Sequence, residues 1–304
     1  MNELSSALLQ LEKNNPFKGS FFSNKSLKNI SWLKVGGSAE YLYIPYDRKD
    51  LSNFLSMLDG RIQINVFGRL SNVLIRDKGL SGVTILIPPS FSKFKIIEEN
   101  MIVVEAGILD RELSQITLEE EIGGMEFLSG IPGNIGGAVA MNAGCYGAEV
   151  KDILVEAKLM NRKGKIKVLS NKKMQFSYRD SIIKDEQIIV EATFKGKKKE
   201  SIYIKEKIRE VESNKKISQP GGIATAGSVF KNPKEKKAWE LINSVNLSGY
   251  KIGGAMVSPK HNNFFVNTGS ALAKDFEDLG NLAIERVNNK YGITLEWEIK
   301  VVGN

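Results

Sequence analysis

Gly123-Gly-Met-Glu-Phe-Leu-Ser-Gly130-Ile-Pro-Gly-Asn-Ile-Gly-Gly-Ala-Val-Ala-Met-Asn-Ala-Gly-Cys-Tyr-Gly147 is the stretch on which the reading of this chain turns. Eight of its residues are glycine and Glu126 alone carries charge. A glycine inside a helix costs roughly 1 kcal/mol against alanine. The stretch is therefore neither an ordinary amphipathic helix nor a solvated loop, and it must pack against something. Glycine serves where φ is positive or where another molecule approaches too closely for a Cβ, and successive N–H groups in such turns form anion-binding concavities. The implied guest is flat, large and phosphorylated; the alternative is a packed turn of structural use only. Neither common phosphate loop is present: there is no Gly-x-x-x-x-Gly-Lys-Ser/Thr, and Gly133, Gly136 and Gly137 miss the Gly-x-Gly-x-x-Gly spacing.

Upstream, a helix is expected over 2–12, two β-rich runs flank Gly36-Gly37, and a helix over 48–58 precedes a strand over 62–67. That strand runs into Gly68-Arg-Leu-Ser-Asn72, a short polar turn at a strand's carboxyl end, where α/β proteins hold phosphate. Strands are predicted over 83–87, 94–98 and 101–105, and a helix over 109–121 leads into the glycine-rich stretch. Beyond it come a hairpin of 153–160 and 165–169 around Arg162-Lys-Gly164, a strand over 187–194 and a helix over 201–213. Helices over 236–245 and 271–291 and a closing strand over 295–302 complete a last region of different character. A domain boundary falls near residue 200.

The chain has 304 residues, long for one core, and at 42% hydrophobic and 26% charged it reads as an ordinary globular protein. No apolar run approaches the roughly 18 residues of a membrane span. The first residues lack a signal-peptide pattern, so a cytoplasmic location without membrane insertion is expected. One cysteine, Cys145, and one histidine, His261, exclude an internal disulfide and a Cys/His zinc site; no metal is expected. The net charge of +8 is spread along the chain without interleaved aromatics. It suits an anionic small molecule rather than nucleic acid.

Taken together, the motifs resemble the UDP-N-acetylenolpyruvoylglucosamine reductase family, in its shorter type lacking an inserted substrate loop. The resemblance rests on Gly36-Gly-Ser-Ala39, Gly68 to Asn72, Gly130-Ile-Pro-Gly-Asn-Ile-Gly-Gly-Ala138, Met141-Asn-Ala-Gly144, Tyr146-Gly147 and Tyr178-Arg-Asp-Ser181. Gln219-Pro220, Ala226-Gly-Ser-Val-Phe-Lys-Asn-Pro233 and Leu295-Glu-Trp-Glu298 extend it over nearly the whole chain. It implies an α+β fold: a two-subdomain FAD-binding domain of the vanillyl-alcohol-oxidase type, divided as 1–80 and 81–200, and a C-terminal α/β substrate domain over 201–304 that closes over the flavin. It further implies a flavoprotein oxidoreductase of peptidoglycan precursor and cell-wall synthesis. NADPH reduces FAD and departs, and the UDP-linked enolpyruvyl sugar takes its place to be reduced to UDP-N-acetylmuramate. A shared pocket accounts for the missing dinucleotide fingerprint.

Residue by residue, the resemblance assigns noncovalent FAD to Gly68, Ser71, Asn72, Gly130, Ile131, Pro132, Gly133, Gly136, Gly137, Ala138, Asn142 and Gly144. Arg179 and Glu298 are assigned to stabilise the enolic intermediate and Ser228 to donate the proton. Lys216 (or Lys215), Lys231, Asn232 and His261 are assigned to the nucleotide substrate. Such roles suit a reaction that leaves negative charge spreading toward a carboxylate and then needs a proton. Outside the motifs, Arg179 reads as a surface ion pair, Ser228 as a turn hydroxyl and Glu298 as a terminal charge. Two departures stand out. Leu70 replaces the usual second glycine of Gly-x-Gly-Ser-Asn, and leucine is not expected at positive φ. Leu272 stands where threonine is usual and is expected to be a harmless packing change. Cys145 reads as a small packed residue. A related flavoprotein oxidase would not require Ser228, Lys231, Asn232 and Glu298 together, and a basic binding module would not require the glycine-rich stretch.

Overall fold

Ile188–Lys195 is an almost unbroken apolar run in which seven of eight residues are buried, the signature of a strand covered on both faces. In the computed structural model it is the middle of a five-stranded antiparallel sheet. The order is Ile166–Ser170, Leu154–Met160, Ile188–Lys195, Met101–Glu105, Phe94–Glu98. Glu191 interrupts the run, yet Arg48 and Lys158 each reach its carboxylate at 2.7 Å. Burial pushes that carboxyl up; the two cations outweigh burial and leave its pKa lowered. The structure describes Leu8, Leu11 and residues 14–58, 60, 62–183 and 187–304, so the helix expected over 2–12 lies largely outside the described residues.

The chain divides into two compact units, each discontinuous in sequence. The first draws on 1–24, 41–69 and 82–214, and the second on 25–40, 70–81 and 215–304. Beside the five-stranded sheet, the first unit holds a second sheet in which Ile64–Phe67 runs parallel to residues 83–86. The helix Arg48–Met57 follows an Asp47 cap that accepts the Asp50 N–H. Phe54 on this helix stacks on Tyr43 at 3.7 Å. The short helix Ile135–Ala140 of the glycine-rich stretch is tied to this unit's framework, with the Gly136 N–H on the Ala106 carbonyl and the Ala106 N–H on that of Val190.

In the second unit the helix Ala273–Tyr291 buries Phe276, Leu279, Ala283 and Val287. A four-stranded sheet accompanies it, ordered Ala224–Ser228, Phe264–Asn267, Ala255–Val257, Lys251–Ile252. The closing strand is only Lys300–Val302, and it runs parallel to Val73–Ile75. That pairing gives residues 70–81 their place with the C-terminal part of the chain. The four-stranded sheet goes unpredicted because its strands, two to five residues long, are too short to show a period. Leu272 is not a packing residue: it is 56% exposed at the start of the long helix. Asp77 accepts the Ala273 and Lys274 N–H groups at 2.9 and 3.0 Å, supplying the cap a hydroxyl would otherwise give.

Gly280 lies inside this helix because the Trp297 indole occupies the space of its Cβ. Alanine is the better helix former by about 1 kcal/mol, but an indole packed on Phe230 at 5.1 Å has little freedom to withdraw. Gly280→Ala is therefore expected to destabilise the protein by about 1–3 kcal/mol. Chemical denaturation measures this, with a lowered midpoint expected.

Candidate active site

Of the predicted cofactor residues, Gly68 and those between Gly130 and Gly144 belong to the first unit, and Ser71 and Asn72 to the second. Their glycines serve close packing more than backbone freedom. Within 123–147 only Gly124 and Gly147 among the glycines have positive φ. A Cβ on Gly130 would lie 2.9 Å from both Cys145 Sγ and Val211, one on Gly136 3.1 Å from Ala106 Cβ, and one on Gly144 would strike the Ala148 carbonyl. At Gly68 the Cβ position is taken by the side-chain amide of Asn134. Asn134 is 3% exposed, and among the described residues its amide has no hydrogen-bond partner. Gly137, in contrast, is exposed and meets only the Asn134 Oδ1 at 3.5 Å. Cys145 is packed as expected, its Sγ 3.1 Å from the Phe127 carbonyl.

Asn142 is fully buried at φ +46. Its Nδ2 donates to Glu149 and to the Ser177 carbonyl, and its Oδ1 accepts the Lys151 N–H. Its amide is thus spent on the protein, joining the glycine-rich stretch to the turn that carries Arg179. Arg179 itself has φ +57 and a side chain only 15% exposed. One terminal nitrogen donates to the Gly144 carbonyl at 2.6 Å, the other pairs with Glu149 at 3.3 Å, and the guanidinium lies 4.8 Å from the Tyr178 ring. This is a covered cation in a fixed pose, unlike a solvated surface pair.

The second unit brings Ser228 and Glu298 together through the backbone. Ser228 ends its strand, and the next residue, Val229, accepts the Glu298 N–H at 2.8 Å while donating to Asn263 O at 2.8 Å. Asn263 grips Phe230 at both backbone groups, and the Asn72 amide donates to the Glu298 carbonyl at 3.0 Å. Asn72 therefore braces the segment that carries Glu298. Lys231 is half-buried and 3.9 Å from the Glu296 carboxylate, while exposed Asn232 accepts the Ala238 N–H. His261 meets Phe264 edge-on at 4.7 Å, and burial holds its pKa below the ordinary value, so it is neutral at pH 7. Lys216 is exposed, and its carbonyl accepts from Lys260. Sequence reading missed Asn134, Glu149 and Asn263; the first two stand inside or beside a quoted motif and the third lies two residues from His261. A depression of about 580 Å³ lined by Leu118, Glu119, Glu120, Glu121, Lys198, Ser201 and Lys205 includes no predicted site residue. Its Glu121 and Lys198 pair with each other at 3.1 Å.

Residues 39–170 match the model of an FAD binding domain, and 219–302 match that of the UDP-N-acetylenolpyruvoylglucosamine reductase C-terminal domain. The UDP-N-acetylenolpyruvoylglucosamine reductase of Orientia tsutsugamushi (strain Ikeda) is 41% identical over 301 residues, covering 98% of each chain. The chain belongs to this reductase family. The Rickettsia massiliae member is 42% identical over 94% of this chain and 97% of its own. The crystal structure of the Thermus caldophilus member superposes with a TM-score of 0.80 at 31% identity, covering 94% of this chain and 99% of that one. The expected α+β flavoprotein fold is thereby established.

The residues present fit the family's FAD. The Asn134 amide bonds no described residue and keeps solvent access beside a glycine that makes room for it, so its donor and acceptor are open to a ligand. Leu70 corrects the sequence reading. It does take positive φ, +52, and it is 2% exposed. Burying a leucine stabilises by about 1.5–3 kcal/mol, enough to offset the 1–2 kcal/mol or so of left-handed strain. The glycine-like shape of the turn is kept at the price of that strain. Leu70→Gly is expected to lower stability by about 1–2 kcal/mol, and Leu70→Ala, which loses burial but keeps the strain, by more. Thermal denaturation of the two variants tests that order.

Proposed function

We propose that this chain catalyses the NADPH-dependent reduction of UDP-N-acetylenolpyruvoylglucosamine to UDP-N-acetylmuramate, the reductive step of peptidoglycan precursor synthesis, with noncovalent FAD. The observation that carries this reading is the likeness to named reductases along 98% of the chain. The chain is an FAD-dependent oxidoreductase acting on a UDP-sugar with a nicotinamide donor. Its preference for NADPH is part of the proposal, as is a cytoplasmic setting. No helix among the described residues is long and apolar enough to cross a membrane. The partners are small molecules rather than nucleic acid. FAD binding is assigned to 1–80 and 81–200 and substrate binding to 201–304; the gap between the two matched models, 39–170 and 219–302, supports the boundary near residue 200.

FAD held by the glycine-rich stretch would supply the hydride chemistry between NADPH and the enol ether. Every other role falls to the chain's own residues. Arg179, covered and fixed, stabilises negative charge that spreads into the substrate carboxylate. Glu298, held by Val229 and Asn72 through its backbone, orients the enolic group. Ser228, at the end of its strand, delivers the proton to carbon. A hydroxyl is a weak acid, so this step needs a cation to favour the alkoxide. For the nucleotide, Lys231 and Lys216 supply positive charge and the Asn232 Nδ2 a donor, its Oδ1 being used by Ala238. Neutral His261 supplies hydrogen bonding rather than charge.

A proton donor that acts only on the substrate is irrelevant to electron transfer from NADPH. Ser228→Ala is expected to leave flavin bleaching by NADPH near normal and to slow reoxidation by the enolpyruvyl nucleotide by ~10² to 10⁴. Stopped-flow absorbance follows both steps in one sample. Normal reoxidation would remove Ser228 from the mechanism, and equal slowing of both steps would indicate a collapsed site.

A further inference from the structure

The role of Arg179 raises the question of what holds its guanidinium still. The backbone at Arg179 is left-handed, φ +57, a conformation that persists only when its surroundings impose it. The turn around it is closed by reciprocal Ser177 and Asp180 hydrogen bonds and sewn to the glycine-rich stretch at Ser181 Oγ to the Ala140 carbonyl and Asn142 Nδ2 to the Ser177 carbonyl. These contacts place the backbone. The charged end is placed by the Gly144 carbonyl and by Glu149, which are themselves paired residues of one two-stranded hairpin.

Glu149 is built to hold still. Its side chain is 17% exposed, one carboxylate oxygen takes Arg179, and the other takes Lys151 at 2.5 Å and Asn142 Nδ2 at 3.0 Å. Its own N–H is bound by Asp152. A charge-assisted contact to each terminal nitrogen from a different direction sets the guanidinium plane, which a single partner would leave free to swing.

We propose that Glu149 is a positioning residue for this reaction: it orients Arg179 for the anionic transition state while touching neither substrate nor flavin. The proposal rests on the reading of Arg179 given above. Glu149→Gln keeps the shape and an acceptor oxygen but removes the charge. Reoxidation by the enolpyruvyl nucleotide is expected to slow by about 10- to 100-fold, the scale of a misplaced catalytic group. Flavin bleaching by NADPH, the Kd for FAD and the KM for the nucleotide should change by less than about threefold, while the melting temperature falls because a largely covered cation loses its anion. In an Arg179→Ala background, Glu149→Gln should add less than about twofold, because a group acting through another has no effect once that other is gone.

Three results would overturn the proposal. One is full multiplication of the two effects; another is equal slowing of both half-reactions together with weaker FAD binding; the third is unchanged reoxidation in Glu149→Gln. If Arg179→Ala alone reoxidises normally, the failure lies in the role given to Arg179, which separates it from a failure at Glu149.

Discussion

Backbone and side chains approach one another in the glycine-rich stretch to distances that admit no Cβ, and much of the first unit depends on that closeness. Gly136 lets a short helix settle on Ala106, which is itself bonded to the central strand at Val190. Gly130 leaves room for Cys145 and Val211, and Gly144 lets the hairpin at 144–149 close on the Ala148 carbonyl. Close approach of this kind trades backbone entropy for contact. It is tolerable because the stretch is bonded on both sides to buried structure.

That hairpin then determines where charge can sit. Gly144 offers its carbonyl and Glu149 its carboxylate to the same guanidinium, and Asn142 closes the circuit by bonding both Glu149 and the Ser177 carbonyl. A cation 85% covered would be costly alone, but here each charge has an opposite charge and a dipole beside it. The second unit solves a different problem, that of holding a serine and a glutamate from distant parts of the sequence. It does so with backbone bonds to Val229 and side-chain amides from Asn263 and Asn72. Trp297, between Glu296 and Glu298, anchors that segment by filling the space left at Gly280.

By itself the sequence determined several elements of the first unit, among them the strands Phe94–Glu98 and Met101–Glu105, rich in β-forming residues, but not the strand Ser20–Ser26, whose residues are mostly polar. It also determined the family and the motif residues, because glycine, serine and arginine at fixed spacing are local facts. Tertiary structure alone decided that residues 70–81 belong with the C-terminal part of the chain, through a parallel pairing of residues more than two hundred positions apart. Likewise it decided that Leu70 accepts a glycine's φ, that Asp77 caps a distant helix, and that Asn142 and Asn72 serve the protein as braces. The physical reason is common to all four: each depends on burial or on a hydrogen-bond partner remote in sequence, and neither is expressed in the residues adjacent to the one concerned.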